Sequence, residues 1–471
     1  MRSEIEGVET SVSDADEENA GTPVPISALA EVVWPAVPPP EFAQHLAVLY
    51  QLEQSERWSP AEILAHQLAQ LEKLIDHAAQ AVPHYRATLA GHPTLRTRPL
   101  TLDAWRALPV LTKAEVQALG EALVSERPPP AHGPVSEDFT SGSTGRPLRV
   151  KASALATMID RAVNLRRLFW HQRDFGAKAA SIRSYPPDVA MPPAGARVPT
   201  WAPGYASGPL VVLNIRATIA EQLEWLDREQ PAYLLVYPSV LRALVERCRA
   251  RGRGLASLRG VTTFGEMLPE DVALLCEREL GVPLRDLYSA VEVGTVALQP
   301  RQGSHYLVQA ERILVEILDA SGAPCRPGTI GRVVATPLHN FAMPLLRYDL
   351  GDFAEAGGAD PGGSGLPVLN RVMGRVRNLL TLPSGERIFP SFIHAVRAEP
   401  AVRQFQIVQK SRERLELRLA VAAPLDAARE EGLAARLAHA LGHRFALDFI
   451  YVESIAADPS GKYEDFKSEV V

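Results

Sequence analysis

Between Thr218 and Leu287 the hydrophobic period changes repeatedly, and this alternation limits the fold more than any other feature of the chain. Thr218 and Glu221 have the spacing of a capping box ahead of an amphipathic stretch, Gln222 to Glu229. A strand-like run, Ala232 to Tyr237, comes next, and a helical pattern runs from about Val240 to Arg249. A strand is expected at Val261 to Phe264, a helix at Asp271 to Leu280, and a strand near Leu284 to Leu287. Strands that alternate with helices in this way predict an α/β fold, with the helices packed on a sheet.

Upstream of that alternation lies an unusual loop. Thr140, Ser141, Gly142, Ser143, Thr144 and Gly145 put four hydroxyls and two glycines into six positions. Glycine lets backbone approach a ligand closely, and hydroxyl and N–H groups can then face one small volume, as in a backbone nest for phosphate oxygens. The Lys-Ser/Thr ending of a P-loop is missing, so that nucleotide motif does not apply. A flexible linker has a similar composition, but the flanks argue against one. Leu148 to Val150 reads as a strand, and Leu155 to Trp170 has helical periodicity.

Composition excludes several classes. A net charge of −6 and a charged fraction of 22 % do not suggest a nucleic-acid partner. No apolar run approaches the roughly 18 residues of a membrane span, and the acidic N-terminus lacks the pattern of a signal peptide. Cys248, Cys276 and Cys325 are too scattered for a disulfide framework or a zinc knuckle, so a cytoplasmic protein is expected. Residues 1–25 read as a disordered acidic tail. Ser59-Pro60 opens a helix with Ile63, Leu64, Leu68, Leu71, Leu74 and Ile75 on one face, and Thr112-Lys113-Ala114-Glu115 is a second capping box. Arg312 to Leu318 and Gly331 to Ala335 read as neighbouring strands, and 360–365 as a loop. Beyond Gly374 a smaller unit is expected, with helices near Phe392 to Ala398 and Ala427 to His443. Its strands are expected at Leu415 to Leu419 and Asp448 to Val452.

Four further segments accompany the opening loop in a fixed order. They are Asp286-Leu287-Tyr288-Ser289-Ala290-Val291-Glu292-Val293-Gly294, Pro344 to Asp352, Gly374-Arg375 with Gly385 to Pro390, and Ser460-Gly461-Lys462-Tyr463. Together they resemble the acyl-adenylate-forming (AMP-binding) ligase superfamily, and within it the phenylacetate-CoA ligase-like branch with its capsule-biosynthesis-type relatives. Val82 to Arg86 and Leu108 to Lys113 are similar to that branch's N-terminal helices, and the resemblance runs from about residue 60 to the C-terminus.

The resemblance implies a large N-terminal αβ adenylation domain, 26–373, and a smaller mobile C-terminal α+β domain, 374–471, with a hinge near Arg377. It implies an enzyme that joins a carboxylate to the α-phosphate of ATP and then hands the acyl group to a thiol. CoA is the expected acceptor, and an amine or a carrier-protein thiol is the alternative. Thr140 to Gly145 would hold the β- and γ-phosphates, and Glu292 would hold Mg²⁺, a hard cation suited to carboxylate oxygen. Tyr288 would stack on adenine, with Asp286 near the adenine amino group. Gly265 and Glu266, within Phe264 to Pro269, would line adenine and the acyl pocket. Asp352, preferred to Asp349, would accept from the ribose hydroxyls. Arg375 would bind ribose or phosphate. Lys462, preferred to Lys467, would bridge the α-phosphate and the attacking carboxylate as charge builds up.

Two departures from the branch stand out. Relatives often carry zinc-binding cysteines where this chain has Pro300 and 360–363. Only His305 remains as a ligand there, so no zinc is expected. Arg377-Asn378 replaces a more usual acidic hinge, which leaves the second half-reaction open. Trp201, Tyr205, Tyr237, Phe264 and Ala290 would line the acyl pocket, which suits an aryl or arylalkyl acid. The sequence leaves a homodimer open.

Overall fold

The computed structural model describes residues 23–139, 148–186, 188–375, 380–388, 390, 392, 395–396, 398–455 and 465–470. Two expected site elements, Thr140 to Gly145 and Lys462, lie outside them. Residues 393, 394 and 397 of the helix expected at Phe392 to Ala398 do too.

The chain opens with helices α1 (Pro40–Ser55), α2 (Pro60–Ala81), α3 (Pro83–Ala90), α4 (Leu102–Arg106) and α5 (Lys113–Leu119). Both expected capping boxes form: the Thr112 hydroxyl accepts from Glu115 N–H at α5 and the Thr218 hydroxyl from Glu221 N–H just ahead of Ile219, and Ser59 adds an unexpected third by accepting from Glu62 N–H at the start of α2. Next come strands β1 (Val135–Phe139) and β2 (Arg149–Ser153), an antiparallel ribbon closed by the pair Phe139↔Arg149. Strand β1 has no counterpart among the elements expected from the sequence; ladder bonds to β2 satisfy a backbone whose side chains are all exposed. Strand β2 runs straight into α6 (Ala154–Trp170), capped by the Ser153 hydroxyl.

The alternating region forms as expected. It comprises β3 (Ala179–Arg183), β4 (Ala196–Val198), β5 (Leu210–Asn214), α7 (Ile219–Glu229), β6 (Tyr233–Val236), α8 (Pro238–Ala250), β7 (Gly260–Phe264), α9 (Glu270–Leu280) and β8 (Leu284–Ala290). Strands β5, β3, β6, β7 and β8 lie side by side and parallel. Residues of β3, β5, β6 and β7 share one core cluster with Leu223, Trp225 and Leu226 of α7 and Leu241, Leu244 and Val245 of α8.

The sheet then changes character. Strands β9 (Gly294–Leu298), β10 (Tyr306–Val308), β11 (Ile313–Leu318), β12 (Ile330–Pro337), β13 (Tyr348–Ala356) and β14 (Val368–Arg375) pair antiparallel. The twelve-stranded order is β11-β12-β13-β14-β10-β9-β8-β7-β6-β3-β5-β4. Strand β8 is the seam, parallel to β7 on one side and antiparallel to β9 on the other. That second partner carries β8 on to Ala290, three residues past the expected end.

A separate four-stranded sheet, with β15 (Leu380–Thr381) and β16 (Arg387–Ile388) as a short ribbon before it, forms the C-terminal unit. It contains β17 (Val402–Ser411), β18 (Arg414–Val421), β19 (Ala446–Val452) and β20 (Phe466–Ser468) in the order β19-β18-β17-β20. Leu433, Leu437 and Leu441 of α10 (Ala427–Leu441) pack into its core with Phe405, Leu417 and Leu419. A large α/β unit followed by a smaller α+β unit is the predicted fold class.

The N-terminal helices are fixed to the antiparallel half by a buried ion pair. Arg347 donates from Nε to Glu316 Oε2 at 2.9 Å and from Nη2 to Oε1 at 3.1 Å, and both side chains are 5 % exposed. Trp105 Nε1 also donates to Glu316 at 3.2 Å, and Arg347 Nη1 reaches the carbonyls of Arg106, at 2.8 Å, and Leu108. Removing one partner would leave a buried, uncompensated charge. Glu316→Ala is therefore expected to lower stability by about 3–5 kcal/mol. A urea midpoint within experimental error of wild type would contradict that role.

Candidate active site

The parallel strands all end at one edge of the sheet, the edge where open α/β sheets bind ligands. Tyr237 follows β6, Phe264-Gly265-Glu266 follows β7, and Tyr288 lies near the end of β8. The rings of Tyr237 and Phe264 pack with centroids 4.8 Å apart and their planes tilted by 31°. Gly265 has φ +76°, a left-handed turn for which glycine is suited. That turn brings Glu266 to the start of α8. There its carboxylate accepts from both the N–H and the hydroxyl of Ser239, each at 2.9 Å. The contact satisfies an otherwise orphaned helix donor and puts negative charge at the positive end of the helix.

Glu292 is placed by a hairpin. Ala290 pairs with Gly294, so 291–293 form a three-residue connection with Glu292 at its centre. Gly294 closes it at φ +75°, the left-handed position that such hairpins require. A side chain at Gly294 would also collide with Arg312 Nη2 at 2.7 Å and Asp160 Oδ1 at 2.8 Å. Glu292 Oε1 lies 3.7 Å from Lys113 Nζ and 3.5 Å from the Tyr348 hydroxyl. The sequence reading assigned Lys113, the first residue of α5, to a capping box and to a segment similar to the branch's N-terminal helices, and not to the site. Its place at the site comes from the parallel bridge Leu111↔Tyr348, with Leu111 N–H donating to the Arg347 carbonyl and Asp349 N–H to the Leu111 carbonyl, both at 2.9 Å. No local signal in the sequence could have reported a contact between residues so far apart in the chain.

Asp352 and Tyr288 meet across the sheet. The Tyr288 hydroxyl donates to Asp352 Oδ2 at 2.9 Å. Gly351, at φ +73°, precedes Asp352. The competing carboxylate, Asp349, accepts from Gly351 N–H at 2.8 Å and lies 3.4 Å from Arg332, so it serves the local turn. Strand pairing sets Arg375 of β14 directly opposite Asp352.

Asp286 has a more internal setting than the resemblance implies. It lies two residues before Tyr288 on the same face of β8 and is 4 % exposed. Its oxygens accept from the Thr263 hydroxyl at 2.5 Å and the Tyr306 hydroxyl at 2.8 Å, and its N–H donates to Gln299 Oε1 at 2.8 Å. Burial raises its carboxyl to about 6, although the two hydroxyls partly stabilise the charge. The structure therefore brings together Tyr288, Asp352 and the Arg375 backbone, gathers Glu292 with Lys113 and Tyr348, and sets Gly265 and Glu266 at the same strand edge.

His305, the remaining member of the zinc-ligand positions, donates from Nε2 to Asp360 Oδ1 at 2.9 Å. Asp360 also accepts from Gly362 and Ser364 N–H at 3.0 Å each, so the loop is held by hydrogen bonds. Among the described residues no group of three or more His, Cys, Asp or Glu could hold a metal ion. No helix among them is long and apolar enough to cross a membrane.

Residues 59–340 match the AMP-binding enzyme family, and residues 380–469 match the CapK C-terminal domain. The chain is 29 % identical over 231 residues to a phenylacetate-coenzyme A ligase of Thermus thermophilus, covering 46 % of this chain and 51 % of that protein. It is 24 % identical over 349 residues to an indoleacetate–CoA ligase of Aromatoleum aromaticum, covering 69 % and 65 %. The matched segments thus span about half of the first relative's length and just under two thirds of the second's. The fold is similar to that of a 2-hydroxyisobutyryl-CoA ligase solved in the postadenylation state. The TM-score is 0.71 at 21 % identity, covering 89 % of this chain and 91 % of that one. The family match over residues 59–340, more than half of the chain, makes this protein a member of the AMP-binding enzyme family.

Proposed function

We propose that the protein activates a carboxylic acid with ATP, releasing pyrophosphate and forming an acyl-adenylate, and then passes the acyl group to the thiol of CoA. The observation that carries this reading is the Tyr288–Asp352 hydrogen bond of 2.9 Å, which holds an aromatic ring and a carboxylate acceptor at one strand edge. An adenosine needs both, the ring for its base and the carboxylate for its ribose hydroxyls. The family membership and the two CoA ligases among its relatives support the same reading.

In this reading Thr140, Ser141, Gly142, Ser143, Thr144 and Gly145 hold the β- and γ-phosphates. Glu292 takes Mg²⁺. It is an anionic oxygen donor at a hairpin apex, and its contacts to Lys113 and Tyr348, at 3.7 and 3.5 Å, are long enough to yield to a cation. Arg375 approaches the ribose or a phosphate. Lys462 neutralises charge between the α-phosphate and the carboxylate of the acid, two anions that otherwise repel each other. A large domain, 26–373, and a mobile domain, 374–471, turn about a hinge near Arg377 so that the acceptor can replace Lys462. The packed Tyr237–Phe264 pair favours an aryl or arylalkyl acid. A cytoplasmic setting suits three free cysteines. The second reading, transfer to an amine or a carrier-protein thiol, rests on Arg377-Asn378 at the hinge.

Acid-dependent exchange of pyrophosphate into ATP, over a panel of aryl, arylalkyl and short aliphatic acids, tests the first half-reaction. Thioester formed with CoA, against amide formed with an amine, separates the two readings. Lys462→Ala is expected to reduce exchange at least about 100-fold with ATP binding and folding nearly unchanged. Exchange at the wild-type rate would remove Lys462 from the chemistry. Glu292→Gln should raise the Mg²⁺ concentration needed for half-maximal exchange, and an unaltered metal titration would argue for a purely structural carboxylate. Tyr288→Phe leaves Asp352 without one donor, worth about 1 kcal/mol, so ATP should bind roughly fivefold more weakly. Calorimetry reads this directly, and equal affinity would count against the pairing.

A further inference from the structure

A group of cations, two of them without an ion-pair partner among the described residues, lies against the middle and start of the parallel strands, behind the strand edge described above. Arg173 is 8 % exposed. It donates from Nη2 to the Thr262 hydroxyl at 3.3 Å and lies over the Tyr233 ring at 4.4 Å. Arg167, near the end of α6, donates from Nη1 to the same Thr262 oxygen at 3.3 Å, and its buried Nε has no partner. Two guanidinium groups therefore converge on one neutral hydroxyl. Among the described residues neither forms an ion pair. The carboxylate next in sequence, Asp174, accepts from exposed Arg259 at 3.0 Å and from Gly176 N–H at 3.0 Å. Arg285 adds a third positive charge close by, its donors spent on the carbonyls of Arg301 and Leu284. The acidic group that acts on it is Glu277 of α9.

His171 completes the group, one helical turn beyond Arg167. Its Nε2 lies 2.9 Å from the Gln299 carbonyl, an acceptor, so Nε2 carries the proton. Nδ1 is then a bare lone pair, buried and without a partner. Burial and the neighbouring arginines hold this imidazole neutral. Desolvation also lowers Arg167 and Arg173, with each arginine set against another. Part of this charge is accommodated by the C-terminal end of α6, which favours cations, and by the Tyr233 ring. Neither supplies a negative charge, and buried charges are ordinarily paired.

We propose that this cluster binds a small inorganic oxyanion of the hydrogen-phosphate type. Its oxygens accept from Arg167, Arg173 and the Thr262 hydroxyl, and its P–OH donates to His171 Nδ1. Water could satisfy the hydrogen bonds but not the charge, chloride cannot donate to Nδ1, and sulfate at neutral pH carries no proton. Half-buried Arg167, His171 and Arg285 leave the cluster in contact with solvent. Thr262 lies two residues before Phe264 on β7, and Arg285 directly precedes Asp286 on β8. A bound anion therefore tightens the two strands that carry the Tyr237–Phe264 and Asp286–Tyr288 elements.

The test is thermal unfolding of the whole protein in a gluconate buffer at fixed ionic strength, with AMP saturating so that the nucleotide site does not report. Phosphate in the low millimolar range should raise the melting temperature saturably, by roughly 3 °C or more. Sulfate should act more weakly and chloride hardly at all. Arg173→Met and Arg167→Met should lose the saturable rise, and each should be at least as stable as wild type without phosphate, because an unpaired buried charge has been removed. Arg259→Met, outside the cluster, should keep the rise. If Arg173→Met does not fold, Thr262→Val provides the comparison. No saturable rise in wild type, or the same rise in the cluster variants, overturns the proposal. A failure of AMP to bind would bear on the proposed adenylation, while the comparison among variants would still decide this site.

Discussion

The buried pair Arg347–Glu316 is the interaction on which the site's geometry depends. Its two hydrogen bonds, of 2.9 and 3.1 Å, join the strand before the turn-rich segment to the chain entering β13. The remaining donors of Arg347 hold the carbonyls of Arg106 and Leu108, and Trp105 shares the carboxylate. Arg347 itself sits at φ +50°, an uncommon backbone state for a non-glycine residue, so the pair also fixes a costly local geometry. Two residues on, the chain enters the Asp349–Asp352 turn. Through Leu111 the same anchor sets Lys113 beside Glu292.

A second constraint is the seam at β8. A parallel sheet needs crossover helices on its faces, whereas antiparallel strands can be joined by tight turns. Strand β8 takes one kind of neighbour on each side. The crossover half therefore delivers Tyr237, Phe264 and Glu266 at loop positions, and the hairpin half delivers Glu292 at an apex and Asp352 on a strand. Tyr288 belongs to both, since its body sits in the core of the antiparallel half and its hydroxyl reaches Asp352. A site between two sheet types can combine an aromatic wall with carboxylates that remain partly solvated.

Legibility in the sequence followed the range of the physics involved. Capping boxes act over three residues, and those at Thr112 and Thr218 formed where the sequence placed them. Helix and strand periods act over ten or so, and the alternation through Leu287 appeared with shifts of one or two residues. The ribbon at Asp138-Phe139 was missed because its side chains are all exposed, so no apolar alternation marked it. The full length of β8 was missed because its last residues are held by β9, a partner chosen by the fold. Asp286 looked like a ligand contact, and only the structure reveals the two buried hydroxyls, from Thr263 and Tyr306, that occupy its oxygens.

The sequence by itself determined the α/β class, the order of the motifs, and a smaller α+β unit after the large one. These rest on short-range patterning and on residue chemistry, both carried by the linear chain. The tertiary structure alone decided which distant groups meet. Lys113 with Glu292, Tyr288 with Asp352, and Arg167 with Arg173 on Thr262 all pair residues from separate elements. Such contacts are set by strand register and by where buried ion pairs hold the layers, and neither leaves a local mark in the sequence.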